Sequence, residues 1–370
     1  MSQTRQTIFM KRKIALIFGG RSAEHEVSLN SAKNIFTAMD TNLFDVQLIG
    51  ISKEGTWYQF ANSDVFKKHK SLNDSRLTDE DMVTLISIGG NPYFYSFRTQ
   101  ERRQIDCAFP IIHGTMGEDG TLQGLFKVVQ LPFVGCDVLA SAVGMDKEFM
   151  KRLMTESGIK NSKYLILRRE NMLPYNEIVK ELGSPFFIKP ANAGSSVGVH
   201  KIKTEDDYMN KISDSFLYDH KVLAEQFNEG AEVECSVLGL NQKPKASLPG
   251  QLKVHHEFYS YEAKYIDAKG AEIIIPAPLP ENQIREIQEL AVKTFKSLGC
   301  DGLARVDFFV NKNGEILVNE INTLPGFTQI SMYPKMWEAS GLKYSALITE
   351  LIQIAFEKFS NDRKLKLDFN

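Results

Sequence analysis

The chain has 370 residues, of which 43% are hydrophobic, so it is long enough for two or three packed domains. Its 44 basic and 46 acidic residues form no long run of one sign, which excludes a composition-based case for nucleic acid or acidic membrane binding. No stretch approaches the roughly 20 consecutive apolar residues of a membrane-spanning helix, and the N-terminus lacks a secretory signal pattern. We therefore expect a cytoplasmic protein. Its cysteines, Cys107, Cys136, Cys235 and Cys300, share no CxxC or Cys/His spacing, which favours buried or half-buried thiols over a zinc site or a disulfide framework.

The N-terminal third alternates apolar runs with a helical pattern. Its segments are, in order, "KIALIFGG" (13–20), the helical "SAEHEVSLNSAKNIFTAM" (22–39), "VQLIGIS" (46–52) and "IDCAFPIIHG" (105–114). Strands that alternate with helices predict an α/β domain with a parallel sheet. Ligands of such sheets bind beyond the carboxyl ends of the strands, where we expect Gly19, Gly20 and the glycine-rich segment 113–124.

The segment "FFIKPANAGSSVGVHKI" (186–202) joins two apolar runs through small residues, and Lys189 precedes its glycines. A Walker P-loop places the lysine after the glycines, and a dinucleotide fingerprint leads into a helix, so neither pattern fits. We predict a strand, a small-residue loop and a second strand. In this hairpin Lys189 supplies a positive charge and the loop N–H groups approach anionic oxygens. From this segment alone, an ordinary Gly-Ser turn with a solvated lysine is an equal alternative.

A second hairpin is predicted in "GLARVDFFVNKNGEILVNEINTLPGF" (302–327), where Asn313-Gly314 is a strong signal for a two-residue turn. That turn sets the cross-strand pairs, which are Lys312 with Glu315, Asp307 with Glu320, and Arg305 with Asn322. Side chains alternate along a strand, so these polar residues share one face of the hairpin. A register shift of one residue would destroy that face.

The facing pair Asp307 and Glu320 predicts a metal site. Two carboxylates at cross-strand distance repel each other unless a cation lies between them. Carboxylate and amide oxygens suit Mg²⁺, which takes its other ligands from phosphate and water. The alternative is a solvated sheet face with ordinary charges, and the apolar Phe308 and Phe309 argue against it.

A phosphate hairpin with a lysine, followed by a carboxylate hairpin, resembles the ATP-grasp ligases. The chain resembles the D-alanine–D-alanine ligases in particular. The matching segments are "GGRSAEHEVSLNS" (19–31), "HGTMGEDGTLQG" (113–124), "MDK" (145–147), "KPANAGSSVGV" (189–199), "AEQF" with "GAEVECSVLG" (224–239), "EFYSYEAKY" (257–265), "ARVDFFV" (304–310) and "NEINTLPGFTQISMYPKMW" (319–337). Each is a weak signal alone, but eight of them in order are specific.

The resemblance implies a nucleotide site and a metal site. The residues implied for ATP are Lys147 and Lys189 at the phosphates, Ser195 and Ser196 in the phosphate loop, Lys264 at the terminal phosphoryl group, Glu225 and Gln226 beside the adenine, and Glu232 at the ribose hydroxyls. Asp307, Glu320 and Asn322 are implied as ligands of two Mg²⁺ ions, with Glu320 bridging and Mn²⁺ as a substitute. Cations at these positions neutralise the oxygens during phosphoryl transfer.

The resemblance also implies an amino-acid site. Its residues are Glu26 at the ammonium group of the first D-alanine, His113 near the first amino acid, Arg305 and the Gly326 backbone at the second carboxylate and the oxyanion, and Ser331 and Met332 beside the second amino acid. Ser195 and Tyr265 are implied to join the hairpin to an ω-like loop by hydrogen bonds that reach Glu26. This closure would keep water from an acyl phosphate intermediate.

The fold implied is α/β, with α+β character in the C-terminal part and nucleotide bound between two α+β domains of the ATP-grasp type. The expected domains are 1–138 (Rossmann-like, with a parallel sheet), 139–228 (central, with the phosphate hairpin) and 229–370 (C-terminal, with the ω-like loop and the Mg²⁺ site). The activity implied is ATP-dependent joining of two D-alanines through D-alanyl phosphate, for peptidoglycan precursors. A homodimer that binds neither nucleic acid nor membrane is expected.

Several alternatives stay open. A D-alanine–D-lactate or D-alanine–D-serine ligase would keep the same fold, and only Tyr265 in the loop argues for the dipeptide-forming type. Another ATP-grasp enzyme, or a nucleotide-binding regulator without activity, would be expected to lack part of the ordered residue set. A dehydrogenase is the weakest alternative, because "GGRSAE" (19–24) lacks the third glycine of the dinucleotide fingerprint.

Overall fold

The computed structural model describes residues 11–254, 271–328 and 330–366. The described part contains three β-sheets that follow one another along the chain. Its helices are α1 (His25–Ala38), α2 (Val65–Lys68), α3 (Thr121–Val128), α4 (Val138–Met145), α5 (Lys147–Glu156), α6 (Tyr175–Leu182), α7 (Glu205–Tyr218), α8 (Glu281–Ser297), α9 (Met332–Ala339) and α10 (Tyr344–Asp362), with a 3₁₀ turn at Asp74–Arg76. Within these ranges, no helix combines the length and the apolar character needed to cross a membrane.

The first sheet has seven strands in the order β6-β5-β4-β3-β2-β1-β7. The strands are β1 (Arg12–Gly19), β2 (Phe44–Ile51), β3 (Trp57–Phe60), β4 (Asp81–Ile88), β5 (Asn91–Ser96), β6 (Arg102–Gln104) and β7 (Cys107–Pro110). Only β2, β1 and β7 pair in parallel, and β3 to β6 extend the sheet with antiparallel pairs. The prediction of a parallel sheet therefore holds for one end of the sheet, the strands β2, β1 and β7. There the buried apolar run of β1 is typical of a strand covered on both faces.

Glycines allow the chain to turn sharply at the carboxyl end of β1. Gly19 has φ +90, and a Cβ there would lie 2.2 Å from the carbonyl oxygen of Ile51. Only glycine avoids that collision while adopting a left-handed conformation. The turn places α1 beyond the strand ends, beside the segment that follows β7, as the sequence predicts for a ligand-binding edge.

The second sheet has four strands in the order β10-β9-β11-β8. The strands are β8 (Tyr164–Arg168), β9 (Phe186–Pro190), β10 (His200–Ile202) and β11 (Lys221–Gln226). β9 and β10 pair antiparallel across the small-residue loop, which confirms the predicted strand, loop and strand. Helices α6 and α7 cover this sheet with apolar residues such as Ile178 and Ile212.

The third sheet is antiparallel and follows the order β15-β14-β12-β16-β17, with β13 also paired to β12. The strands are β12 (Gly230–Gly239), β13 (Lys245–Ala246), β14 (Gly250–Val254), β15 (Ala271–Ile274), β16 (Gly302–Asn311) and β17 (Ile316–Asn322). Helix α5 packs on this sheet through Met150 and Met154, together with Ile287 of α8. Thus a helix that precedes the second sheet in sequence belongs to the core of the third.

The last long helix packs back on the first sheet. Leu347, Ile348 and Leu351 of α10 share one apolar cluster with Ile14 and Leu16 of β1. The ammonium group of Lys358, also on α10, donates to the carbonyl oxygen of Gly135 at 2.8 Å. The first sheet is therefore completed by residues more than three hundred positions later in the chain.

The four cysteines are free and buried, as the sequence predicts. Burial raises the pKa of Cys235 to about 12, so its thiol stays protonated at neutral pH. A protonated, enclosed thiol is a small apolar packing group and a poor nucleophile.

Candidate active site

The β16–β17 hairpin differs from the predicted one at its turn. Asn311 N donates to Glu315 O at 2.9 Å, and Gly314 N donates to Asn311 O at 2.8 Å, so the turn holds three residues rather than two. The predicted pairing of Lys312 with Glu315 is therefore wrong, and Lys312 forms its ion pair with Glu229 instead. The signal of Asn313-Gly314 identified the place of the turn but not its length.

A β-bulge restores the predicted register farther along this hairpin. Phe308 pairs with Val318, whereas Asp307 pairs with Glu320, so Asn319 is the extra residue on β17. A bulge places two residues of one strand opposite one of its partner. Because the turn and the bulge offset each other, the two predicted pairs, Asp307 with Glu320 and Arg305 with Asn322, are confirmed.

The shared polar face of this hairpin is densely charged. The guanidinium group of Arg305 binds both carboxylate oxygens of Asp307 at 2.7 Å, and its Nε lies 3.0 Å from Glu234 Oε2 on β12. Burial alone would lower the pKa of Arg305, but Asp307 and Glu234 hold that pKa well above its ordinary value. Arg305 is thus a fixed positive charge at the centre of the face.

The oxygen donors on this face suit a divalent cation. Asp307 and Glu320 oppose each other, and Asn322 follows two positions after Glu320 on the same side of β17. Within residues 11–254, 271–328 and 330–366, no group of three His, Cys, Asp or Glu side chains could hold a metal ion alone. This donor set fits Mg²⁺, which typically uses one or two carboxylates and completes its shell with phosphate and water.

Two lysines approach this face from the second sheet and from α5. The ammonium group of Lys147, the first residue of α5, lies 3.7 Å from Glu320 Oε2 and donates to Ala193 O at 2.8 Å. Lys189, at the end of β9, lies 2.7 Å from Glu225 Oε1. The structure therefore brings Lys147 next to both the small-residue loop and the carboxylate hairpin, and it places Lys189 beside Glu225 just before that loop.

The small-residue loop between β9 and β10 adopts an unusual backbone. Ser195 and Ser196 have φ values of 51 and 59, in the left-handed region that few non-glycine residues occupy. The hydroxyl group of Ser195 donates to Glu24 Oε1, a carboxylate at the start of α1. Loop and first domain are thus joined across 171 positions of sequence.

The predicted link from Ser195 to Glu26 is wrong, because Glu24 takes that place. The carboxylate of Glu26 instead binds Lys53 Nζ at 2.6 Å, and 45% of its side chain is exposed. Glu24 is only 8% exposed, and a Cβ on Gly114 would lie 3.0 Å from its Oε2. Glu24 precedes the first residue of α1, whereas Glu26 lies within its first turn, so the two side chains leave the helix in different directions.

His113 links the first sheet to the segment after β17. Its Nε2 lies 3.1 Å from Ser31 Oγ, and its Nδ1 lies 3.2 Å from Leu324 O and 3.6 Å from Glu118 Oε1. Burial alone would lower the pKa of His113, but the Glu118 carboxylate outweighs it and the pKa is raised. His113 is thus a buried polar contact between the first sheet and the segment that follows β17.

The residues predicted for the second amino acid lie between β17 and α9. A Cβ on Gly326 would lie 2.9 Å from Ser331 Oγ, which accepts a hydrogen bond from Thr328 N at 2.9 Å. Met332, the first residue of α9, is buried. The same segment contacts the first sheet, because Leu324 O lies 3.2 Å from His113 Nδ1 and Phe327 N donates to Ser31 Oγ at 3.4 Å.

The remaining predicted residues lie at the rim or outside the described ranges. Gln226 ends β11, and its N–H donates to Lys163 O at 2.9 Å. Glu232 lies on β12, opposite Phe309 of β16. Lys264 and Tyr265 lie outside the described residues.

The structure identifies site residues that the sequence analysis missed, namely Glu24, Glu118, Lys151 and Glu234. Two of them carry a signal in the sequence: Lys151 is four residues after Lys147 on one helix face, and Glu234 is two residues after Glu232 on one strand. Glu24 has no such signal. The string "AEHE" holds two glutamates, and only the tertiary structure distinguishes them.

Two family models match the chain one after the other. Residues 13–136 match "D-ala D-ala ligase N-terminus", and residues 153–353 match "D-ala D-ala ligase C-terminus". The D-alanine--D-alanine ligase of Oceanobacillus iheyensis is 48% identical over 361 residues, which cover 96% of this chain and 98% of that protein.

Solved structures give the same result. The D-alanine-D-alanine ligase from Coxiella burnetii is similar with a TM-score of 0.85 and 37% identity, over 96% of both chains. The VanG D-Ala:D-Ser ligase from Enterococcus faecalis is similar with a TM-score of 0.84 and 36% identity, over 93% of this chain and 99% of that one. With the paired lysines, the carboxylate hairpin and the Glu24 contact in one cleft, the chain belongs to the D-alanine–D-alanine ligase family.

Proposed function

We propose that this cleft joins two D-alanine molecules into D-alanyl-D-alanine, with ATP converted to ADP and phosphate. The observation that carries the proposal is the contact between Ser195 and Glu24, because it brings the phosphate loop beside the first domain. A nucleotide held under that loop and an amino acid held by the first domain would meet there. The family makes this dipeptide for peptidoglycan precursors.

At the nucleotide end, Lys147 and Lys189 bind the ATP phosphates together with the backbone of Ser195 and Ser196. Backbone N–H groups in a left-handed turn and two ammonium groups form a site for anionic oxygens. Glu225 and Gln226 border the adenine, and Glu232 binds the ribose hydroxyls. Lys264 reaches the terminal phosphoryl group from a segment outside the described residues.

Asp307, Glu320 and Asn322 are the residues that would hold Mg²⁺. Bound Mg²⁺ neutralises the oxygens of the phosphoryl group that is transferred. The chain's own contribution is the fixed geometry of this face, because Arg305 binds Asp307 and Lys147 lies next to Glu320. Mn²⁺ is expected to substitute, since it accepts the same oxygen ligands.

At the amino-acid end, we assign the ammonium group of the first D-alanine to Glu24 instead of Glu26. Glu24 is a buried carboxylate beside the phosphate loop, so it can orient the amino acid toward the nucleotide. His113 fixes the surrounding segments. Arg305 and the Gly326 N–H bind the second carboxylate and the developing oxyanion, with Ser331 and Met332 at the border of this subsite.

These roles form a two-step reaction. The carboxylate of the first D-alanine attacks the terminal phosphorus of ATP, so a D-alanyl phosphate forms and ADP leaves. The amine of the second D-alanine then attacks the acyl carbon, a tetrahedral intermediate forms beside Arg305, and phosphate leaves. The loop of Ser195 excludes water, which would otherwise hydrolyse the acyl phosphate.

A second candidate is the ligation of D-serine or D-lactate as the second substrate. The similarity to a D-Ala:D-Ser ligase favours it, because that protein shares the fold over nearly its whole length. Tyr265 argues for the dipeptide, but it lies outside the described residues. We also infer from the family resemblance that the chain is a cytoplasmic homodimer that binds neither nucleic acid nor membrane.

The test is phosphate release from ATP and Mg²⁺ with D-alanine alone, then with added D-lactate or D-serine, with each product identified by mass. We expect release with D-alanine alone and a product with the mass of the dipeptide. Release only with D-lactate or D-serine would keep the site and change the acceptor. No release with any of the three would contradict the proposed function.

A further inference from the structure

A carboxylate lies between two lysines beneath the predicted phosphate site. Glu225 Oε1 lies 2.7 Å from Lys189 Nζ, and Glu225 Oε2 lies 2.8 Å from Lys151 Nζ. All three side chains are buried, with exposed fractions of 0% for Lys151, 3% for Glu225 and 8% for Lys189. Two positive charges and one negative charge leave this triad with one net positive charge.

The two lysines of the triad are not equivalent. Lys151 is a buried residue of α5, and its ammonium group also lies 3.4 Å from the carbonyl oxygen of Asn319 on β17 and 5.9 Å from the Tyr164 ring centre. Lys189 retains some exposure and is two residues before the start of the small-residue loop. Only Lys189 is therefore placed to meet a ligand in the cleft.

The directions of the pKa shifts agree with two cations sharing one carboxylate. Burial alone would raise the pKa of Glu225, but Lys151 and then Lys189 outweigh it, so the pKa is lowered. The pKa of Lys151 is lowered by burial and by the neighbouring charge of Lys189, against the attraction of Glu225. Glu225 is thus held as an anion by both lysines.

We propose that Lys151 is a positioning residue that neutralises Glu225 and so leaves the charge of Lys189 for the phosphates of the nucleotide. Without Lys151, Glu225 would bind Lys189 alone in a neutral buried pair. A phosphate would then compete with a carboxylate 2.7 Å from the same ammonium group. This inference rests on the proposed function, because it assumes that Lys189 binds phosphate.

The same contact links the charge balance to the metal face. Lys151 approaches the carbonyl of Asn319, the bulged residue directly before Glu320. The lysine that neutralises Glu225 therefore also holds the strand that carries a predicted Mg²⁺ ligand. A purely mechanical role for Lys151 must be separated from the electrostatic one by experiment.

The separating experiment compares the affinities of ATP and adenosine in wild type, Lys151→Met, Glu225→Gln and the double variant by calorimetry. Adenosine lacks phosphates, so the ratio of the two affinities reports the charge available to them. We expect Lys151→Met to weaken the affinity for ATP by about tenfold and the affinity for adenosine by less than about twofold. The double variant restores one net positive charge on Lys189, so its ratio should return to within about threefold of wild type.

The matched control is Lys221→Met. Lys221 is another buried lysine between α5 and β11, but it pairs with Asp146 at 2.7 Å and Glu148 at 2.8 Å instead of Glu225. Lys221→Met is expected to lower the thermal midpoint of unfolding. Any change that it causes in the ratio of the ATP and adenosine affinities should remain when Glu225→Gln is added. This control measures how much ATP affinity is lost when α5 is destabilised without a change in the charge around Glu225.

The inference would be overturned if Lys151→Met left the ratio of the ATP and adenosine affinities unchanged. It would also be overturned if the double variant bound ATP as weakly, relative to adenosine, as Lys151→Met does. If Lys151→Met does not fold, Glu225→Gln decides. It removes the negative charge of the triad, so the ratio of the ATP and adenosine affinities should rise above that of wild type, and an unchanged ratio would overturn the inference. Dipeptide formation by wild type is measured on the same preparation. Failure of that reaction would contradict the proposed function, whereas a normal reaction with an unchanged ratio would contradict only the role of Lys151.

Discussion

The β16–β17 hairpin and the start of α1 both carry acidic residues of the cleft, but the sequence locates them with different success. On the hairpin, Asp307 and Glu320 oppose each other as predicted, although the turn is one residue longer than expected. At the start of α1, the sequence favours Glu26, and the structure places Glu24 in the cleft. A side chain inside a paired strand is thus easier to place than one at the end of a helix.

The difference arises because side-chain direction is determined differently in a paired strand and at the start of a helix. In a pleated strand, neighbouring side chains point to opposite faces, so one correct pair fixes its neighbours as far as the next bulge. On a helix, two residues that are two positions apart point about 200° from each other, so an error of two positions reverses the direction. Glu24 lies just before α1 begins, where neither rule applies.

The largest expected effect on the rate comes from a substitution on the β16–β17 hairpin. Glu320→Gln is expected to lower phosphate release with D-alanine by about a thousandfold, because a bound cation contributes several kcal/mol to stabilising the transferred phosphoryl group. The measurement is initial rate at saturating ATP, with thermal unfolding as a check of folding. Glu315→Gln is the control, since Glu315 lies on the same hairpin but pairs with Lys160 at its exposed end. Near-normal turnover in Glu320→Gln would contradict the metal assignment.

The second effect tests the helix end. Glu24→Gln is expected to lower kcat/KM for the first D-alanine by roughly 30-fold to 100-fold, because a hydrogen bond to a charged group contributes about 2–3 kcal/mol. Initial rates at varied D-alanine provide the measurement, and Glu26→Gln is the matched control two positions away. A larger loss in Glu26→Gln than in Glu24→Gln would restore the assignment that the sequence favours.

The smallest effect concerns stability and its pH dependence. Burial alone would raise the pKa of Glu26, but the hydrogen bond from Lys53, a backbone hydrogen bond and the charge of Lys53 together outweigh it, so the pKa is lowered from 4.5. A lowered carboxyl pKa contributes stability above 4.5, and that stability is lost as the pH falls through the folded-state value. The pair is half exposed, so we expect Glu26→Gln to cost less than about 0.5 kcal/mol at neutral pH. Thermal midpoints of variant and wild type should differ near pH 7 and converge at a pH low enough to protonate the folded-state carboxyl group. An equal difference at both would exclude the ion pair as its cause.

The sequence predicts the parts of the fold that depend on local pattern. The apolar run of β1, the hairpin of β9 and β10, and the polar face of β16 follow from periodicity and turn residues. The antiparallel extension of the first sheet does not, because short strands such as β6 have little pattern of their own. The bulge at Asn319 is also hidden, since an extra residue has no signature until its partner strand is known.

The same distinction between local sequence pattern and tertiary contacts applies to the residues of the active site. Lys151 occupies the helix face of Lys147, so the spacing of four residues is visible in the sequence, but its contact with Glu225 is not. The bond between Ser195 and Glu24 joins residues 171 positions apart and depends on how two domains meet. Pattern therefore identifies which residues are chemically suited to the site, while tertiary packing decides which of two similar residues is used.

The position of α10 has a consequence for how the protein is made. The ribosome produces the first sheet before α10, yet one apolar face of that sheet is covered by Leu347, Ile348 and Leu351 of α10. Until α10 has been made, Ile14 and Leu16 lack this cover, and exposed apolar surface on a nascent chain promotes aggregation. The first sheet is thus completed only after α10 is synthesised, so a messenger truncated before α10 would yield a chain with an open sheet.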